Sequence, residues 1–306
     1  MADGSSRVVY AALIGNILVA ISKYAAALIS GSSAMLTEAI HSTSDCINQL
    51  LLLIGVRRGK LPSDATHNFG YGMEIYFWTF VVAVLVLLAG GAYSIYRGLS
   101  ALMHPRPMQS PSLGLAVLLL SAIFEGGSFK IGYKQYRKVV ARHRIPGRSV
   151  SVIEFIKLSK DPSLYESLLE DSAALAGIFV AASGSIGSAY FGWLSADGAA
   201  SLTIGLILVA TGTSILVATR SLVAGEAVAP SVLRDLKASL QGQPWSDRVA
   251  NLTTLHLGPS CILVAVTLRP GSENDGEVGR QIEQRLKATD PRIIEVLFRL
   301  GSTRPS

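Results

Sequence analysis

Residues 36–55 read LTEAIHSTSDCINQLLLLIG, a stretch apolar enough at its end to enter a bilayer, yet carrying Glu38, His41 and Asp45 in its first half. His41 and Asp45 are four residues apart, so on an α-helix they sit one above the other on a single face, as two ligands of one ion must. Glu38 and Asn48 lie three residues to either side, on nearly the same stripe. Ionisable groups in hydrocarbon cost free energy and tend to mark an ion pathway or a pairing partner. A polar seam joining helices by hydrogen bonds is the plainer alternative, but Ser42, Ser44, Asn48 and Gln49 would suffice for that. A histidine and a carboxylate together favour metal binding.

The rest of the chain supplies the bilayer context. It is 306 residues long, 50% hydrophobic and only 16% charged, with a mean hydropathy of +0.43, more than a soluble core needs. The apolar residues also come in blocks. A bilayer core of about 30 Å takes roughly 20 mostly apolar residues per helix. Stretches at 8–29, 34–56, 75–99, 113–133, 164–191 and 198–223 meet or approach that length, which predicts six spans. The first carries Asn16 and Lys23 and is too long for a cleaved signal core, so it reads as a permanent span.

Cations mark the sidedness, because short cytoplasmic loops collect Lys and Arg. Arg57, Arg58 and Lys60 follow the second stretch, and Lys134, Arg137, Lys138, Arg142, Arg144 and Arg148 follow the fourth. The loops near 30–33 and 192–197 hold no cation; Arg97 and Arg106 near the third loop are exceptions that leave the asymmetry standing. Both termini are therefore expected on the cytoplasmic side. The net charge of +6 and pI near 9.4 follow largely from these loops and do not argue for nucleic acid, so no nucleic-acid partner is expected. Two cysteines, Cys46 and Cys261, give no disulfide framework and suit a reducing side.

The composition changes near Glu226, dividing the chain into an all-α membrane domain, 1–225, and a small α+β domain, 226–306. In the second part the pattern predicts a helix over 230–240, strands over 249–257 and 262–268 with a turn at Gly258-Pro259, a helix over 277–287 and a strand over 292–300, an αββαβ order. A core this small often gains stability by pairing with a second copy.

The fifth stretch, YESLLEDSAALAGIFVAASGSIGSAY from Tyr165, complements the second. Asp171 enters an apolar run and is a candidate ligand. Glu166 and Glu170 suit a solvated helix start, where acids also complement the helix dipole. Ala173, Ala174, Gly177, Gly184 and Gly187 allow another helix to approach closely. Glu125 in SAIFEGGSF keeps three open roles: a proton route, neutralisation of Lys23, or polar packing.

Three segments, GSSAMLTEAIHSTSDCINQLLLLIG from Gly31, HNFGYGMEIYFWTF from His67 and LLEDSAALAG from Leu168, together with DGAASLTIG and the αββαβ tail, resemble the cation diffusion facilitators, proton-coupled exporters of zinc and manganese. The branch that includes animal zinc transporter nine, with its similar LLED element, is the nearest likeness. The resemblance implies a six-helix transmembrane domain with a cytosolic ferredoxin-like domain, a homodimer in the bilayer, and a central site with two ligands from each of the second and fifth helices. His41 and Asp45 match the first pair, and Asp171 matches one member of the second. Ser167 stands where many zinc exporters have histidine or aspartate, so Glu170, Ser167 or water would complete the shell. Two carboxylates and an imidazole suit Zn2+ without excluding Mn2+, Fe2+, Co2+ or Ni2+.

PSDATHNFGYG, from Pro62, is similar to a secondary metal site of some members, retaining Asp64 and His67 but with Tyr71 in place of a third ligand. A role for His67, Gly70 and Gly72 in loop geometry is the favoured reading there. The tail holds only His256, read as a strand residue, and no full tail metal site is expected.

The implied activity is export of a divalent cation by alternating access in exchange for protons, with no cofactor and no enzyme chemistry, in a multi-pass protein of a bacterial inner (plasma) membrane. Two other classes stay in view. An intramembrane metallohydrolase would normally show HExxH, which the sequence lacks. A transport-incompetent partner subunit or metal sensor on the same fold is motivated by Ser167.

Overall fold

The computed structural model describes residues 2–105, 110–142, 160–270 and 275–301. Arg106, Arg144 and Arg148 of the loop-charge argument lie outside the described residues. The chain divides into two compact units, Met1–Ile54 with Trp78–Arg142 and Ser163–Ala218, and Gly55–Phe77 with His143–Pro162 and Thr219–Ser306.

The helices are α1 (Ala2–Ser30), α2 (Ser33–Arg58), α3 (Glu74–Leu85), a π-helical segment (Val86–Ala92), α4 (Tyr93–Met103), α5 (Pro111–Arg142), α6 (Pro162–Tyr190) and α7 (Ala196–Val223). Among the described residues, five helices are long and apolar enough to cross a membrane: Leu13–Ser30, Glu74–Met103, Pro111–Lys138, Leu164–Tyr190 and Ala196–Val223. The sixth expected span, α2, forms a continuous helix of 26 residues, but its polar face keeps it outside that set. Leu28, Leu88, Leu119, Ile123, Phe179, Leu206 and Val217 on the five point outward and are exposed, the surface a lipid environment covers.

The first unit packs through small residues. Ala26, Ala27, Ala34, Ala173, Ala181 and Ala200 share one buried cluster with Met35, Leu118, Ile178, Ile204 and Leu208, so α1, α2, α5, α6 and α7 approach closely. The π-helical segment runs VLLAGGA. A Cβ at Gly91 would lie 2.6 Å from Val209 Cγ2 and 3.0 Å from Val209 N, so only glycine lets this segment rest on α7. Ser94 Oγ donates to the Gly90 carbonyl, satisfying an acceptor within the altered winding.

The second unit contains α8 (Pro230–Leu240), β1 (Val249–Gly258), β2 (Cys261–Leu268), α9 (Asp275–Thr289) and β3 (Ile293–Leu300). The observed boundaries fall within two residues of those read from the sequence. The sheet order is β1-β2-β3, with β1 and β2 antiparallel and β2 and β3 parallel. A parallel pair needs a crossover, and α9 provides it. Ile262, Val264, Val266 and Leu268 alternate along β2 and are buried with Leu236, Leu240, Ile282 and Leu286 of the two helices. Ile75 and Tyr76 pack with Leu222 and Val56, and Tyr76 Oη donates to the Lys160 carbonyl at 3.3 Å. Lys160 in turn pairs with Glu226.

His256 is a packed strand residue, 1% exposed, with Nδ1 3.2 Å from the Gly258 carbonyl and its backbone N–H donating to the Glu226 carbonyl. Burial pushes its pKa below the ordinary 6.5, outweighing the Gly258 contact. A base whose pKa is lower folded than unfolded favours the unfolded state once the unfolded ring protonates, so stability is complete above 6.5 and falls as pH drops below it. Hydrogen exchange of β1 and β2 amides in the intact chain, corrected for intrinsic rates, is expected to show increased opening between pH 7 and pH 5. His256→Gln should remove that pH dependence; an unchanged profile in the variant would assign it to another group.

Candidate metal centre

The polar stripe of α2 is positioned by partners on three neighbouring helices. At its start Asp197 of α7 accepts from Ser32 Oγ and from the backbone N–H of Ser33 at 2.6 Å, capping the helix from outside. One turn on, Thr37 Oγ1 and Ser201 Oγ are 2.7 Å apart. Next, Lys23 Nζ of α1 reaches Glu38 Oε2 at 3.1 Å and Ser42 Oγ at 2.7 Å, with both charged side chains fully buried. Lys23 therefore has Glu38 as its direct counter-ion, and neutralisation of Lys23 falls away as the direct role of Glu125. Further along, Asn48 Nδ2 donates to Glu170 Oε1 of α6.

Between these partners His41, 2% exposed, sits with Nδ1 3.4 Å from Asp45 Oδ1, the stacked arrangement that the four-residue spacing predicts. Asp45 opens onto a cavity of about 340 Å3 bounded by α1, α2, α5 and α6, whose walls include Gln49, Glu125, Ser128, Glu166, Ser167, Glu170 and Asp171. Ser128 Oγ donates to Asp171 Oδ2 at 2.9 Å, fixing α5 beside the acidic turn of α6. Several buried polar atoms here have no hydrogen-bond partner among the described residues: His41 Nε2, Asp45 Oδ1, Glu38 Oε1, Asn48 Oδ1 and Glu166 Oε1. A dry polar atom without a partner is costly, so such a set is characteristic of a site that takes a ligand or water. As the side chains stand, no three His, Cys, Asp or Glu among the described residues form a group that could hold a metal ion.

The expected ligands thus divide. Asp45, Ser167, Glu170 and Asp171 share the cavity wall, and His41 stands beside Asp45 just behind it. Glu166, read as a solvated helix-start residue, is 1% exposed: the start of α6 is covered, so its position in the sequence misrepresents its environment. Sequence reasoning also missed Ser128, one turn from Glu125 on α5; only that three-residue spacing hinted at a shared face.

Asp64 and His67 are in the loop between α2 and α3, within the second unit. Asp64 Oδ1 accepts from the Thr66 and His67 backbone N–H groups, each at 2.8 Å, and from Thr66 Oγ1. Asp64 Oδ2 accepts from Tyr71 Oη at 2.7 Å, and the His67 and Tyr71 rings stack with centroids 3.9 Å apart. The hydrogen bonds from Tyr71 and Thr66 hold the Asp64 carboxyl well below the usual carboxylate range. Both oxygens are committed to closing the loop. Gly70 has a φ of +81°, and a Cβ at Gly72 would meet the Leu257 carbonyl oxygen, so the glycines serve loop geometry here.

The profile of the cation efflux transmembrane domain family matches residues 9–223. That is most of the chain, and the chain belongs to the cation efflux family, the cation diffusion facilitators, as an integral membrane protein. It is similar to the protein of Mus musculus described as proton-coupled zinc antiporter SLC30A9, mitochondrial, with 27% identity over 83% of this chain and 44% of that protein. It is likewise 26% identical to metal tolerance protein C4 of Arabidopsis thaliana over 83% of this chain and 55% of the plant protein. Magnetosome protein MamM of Magnetospirillum gryphiswaldense is 31% identical over 37% of this chain and 34% of its own. The chain thus spans about half or less of the length of these curated relatives.

The buried Lys23–Glu38 pair gives a stability prediction. Removing one partner leaves an uncompensated buried charge, which typically costs about 3–5 kcal/mol, whereas removing both is often near neutral. Lys23→Met and Glu38→Gln are each expected to lower the thermal midpoint of the purified protein in detergent strongly, and the double variant should recover most of the loss. Equal, additive losses would show that the two charges act independently.

Proposed function

We propose that this protein moves a divalent cation, zinc before manganese, iron, cobalt or nickel, across a bilayer in exchange for protons. The observation that carries this reading is the acid-lined cavity beside His41, enclosed by helices of the first unit in a chain of the cation efflux family. His41, Asp45 and Asp171 are the proposed ligands. The similarity to the mouse proton-coupled zinc antiporter supports the same substrate class.

The chemistry accounts for coupling. Imidazole and carboxylate bind a metal only when deprotonated, so each ion bound displaces protons and each proton regained helps to release the ion. Reference pKa values near 6.5 for histidine and about 4 for carboxylates put both exchanges within reach of ordinary pH changes. No separate proton path is required. Alternating access would expose the cavity to one side and then the other, and the alanine-rich contacts of the first unit suit helices that slide.

In this reading 1–225 is the transport domain, with α2 as its sixth span, and 226–306 is a cytosolic ferredoxin-like domain that joins two copies into a homodimer. Both termini face the cytoplasm, and a bacterial plasma membrane supplies the proton gradient. A partner subunit or metal sensor is the second reading, favoured by Ser167 at a ligand position. Flux measured with the purified chain alone separates the two.

Glu170 differs from Asp171 in two ways that lower its claim as a ligand. It points about 100° away around the helix, and Asn48 already engages it. In proteoliposomes, His41→Ala and Asp45→Ala are expected to abolish zinc flux while membrane insertion persists, and Asp171→Asn to reduce it severely. Glu170→Gln should have the smallest effect of the four. Wild-type flux in both His41→Ala and Asp45→Ala would remove the proposed site, and a Glu170→Gln loss equal to that of Asp171→Asn would restore Glu170 as a ligand.

A further inference from the structure

The transport-site reading assigns three ligands and leaves Ser167 where a fourth is expected. We infer that Glu125 of α5 is that fourth ligand, completing a set of one imidazole and three carboxylates with His41, Asp45 and Asp171 for a divalent cation. The inference rests on the transport-site reading and deepens it by bringing in a third helix.

The four side chains gather at one cavity. Asp45, Glu125 and Asp171 line its wall, and His41 Nδ1 lies 3.4 Å from Asp45 Oδ1. Glu170 lines the same cavity, but Asn48 Nδ2 already engages it. Ser128 explains why Glu125 faces the centre. It lies three residues further along α5, on the same face, and its hydroxyl binds Asp171 directly.

Glu125 is also uncommitted. The Lys23 ammonium is taken by Glu38 and Ser42, and Glu125 forms no hydrogen bond or ion pair with any described residue. A carboxylate lining a cavity between membrane helices without a direct partner needs a cation, a proton or water. The same wall holds Glu166, 1% exposed, with Oε1 buried and unpartnered, and His41 Nε2 is orphaned behind it. These atoms point to a ligand rather than to a set of surface acids. The donors of the set, imidazole nitrogen and carboxylate oxygen, are those that four-coordinate zinc accepts.

Calorimetric titration of the full-length purified protein with zinc, in detergent at fixed pH, tests the inference. Four proteins are compared: wild type, Asp45→Ala, Glu125→Gln, and Glu125→Gln combined with Ser167→Asp. Glutamine keeps the shape of the side chain, and thermal melting confirms that each variant is folded. Glu125→Gln is expected to weaken zinc binding by at least the roughly tenfold that even outer-shell partners cost. Ser167→Asp, which returns a carboxylate four residues before Asp171, should restore most of the lost affinity. A role in packing alone would not be rescued from a different helix. Wild-type affinity in Glu125→Gln alongside lost binding in Asp45→Ala would overturn the assignment of Glu125 and leave the transport site intact; no rescue in the combined variant would also overturn it. Undiminished binding in Asp45→Ala would instead overturn the transport-site reading itself. Should Glu125→Gln not fold, Glu125→Asp takes its place: its carboxylate is one methylene short, so weakened zinc binding is expected and unchanged binding would overturn the assignment.

Discussion

A helix that carries Thr37, Glu38, His41, Ser42, Asp45 and Asn48 along one stripe cannot turn that stripe toward hydrocarbon, and much of the first unit follows from covering it. The stripe draws partners from three other helices. Lys23 brings in α1, Ser201 and Asp197 bring in α7, and Glu170 brings in α6. Because these partners are directional, they set the height and rotation of α2 more tightly than apolar packing alone would. The alanines beside them remove the steric obstacle to such close approach.

The same arrangement separates two kinds of charge. Glu38 is neutralised within the protein and can stay buried permanently. Among the described residues, Asp45, Glu125 and Asp171 have no lysine or arginine in direct contact, so their neutralisation is left to whatever enters the cavity. In the proposed mechanism that occupant is a metal ion on one stroke and protons on the other. A fixed lysine at the cavity would compete with both, and its commitment to Glu38 keeps it out of the exchange.

Much of this was legible in the residues. Helix positions, the αββαβ order and the stacking of His41 on Asp45 all follow from periodicities of 3.6 and 2.0, which are properties of a single chain segment. The partner of Glu38 and the surroundings of Glu125 and Glu166 were not legible, because each depends on which helices become neighbours. Glu166 illustrates the limit: an acid at a helix start looks solvated in one dimension, and only the covering of that start in three dimensions buries it. Asp64 is the converse case. Its spacing to His67 resembled a ligand pair, yet the backbone donors and the Tyr71 hydroxyl of its own loop claim both oxygens. The expected six spans became five by apolarity for a related reason, since the residues that make α2 informative are those that make it a poor membrane helix in isolation.

The π-helical segment Val86–Ala92 has a mechanical meaning of its own. Winding with i→i+5 bonds stores one residue more than an α-helix of the same length requires. Returning that residue to α winding would turn one half of the Glu74–Met103 rod relative to the other by about 100° and displace it by about 1.5 Å along the axis. The rod therefore contains a slip joint at mid-length, held where Gly91 rests on Val209, so a side chain larger than hydrogen there would push the joint away from α7.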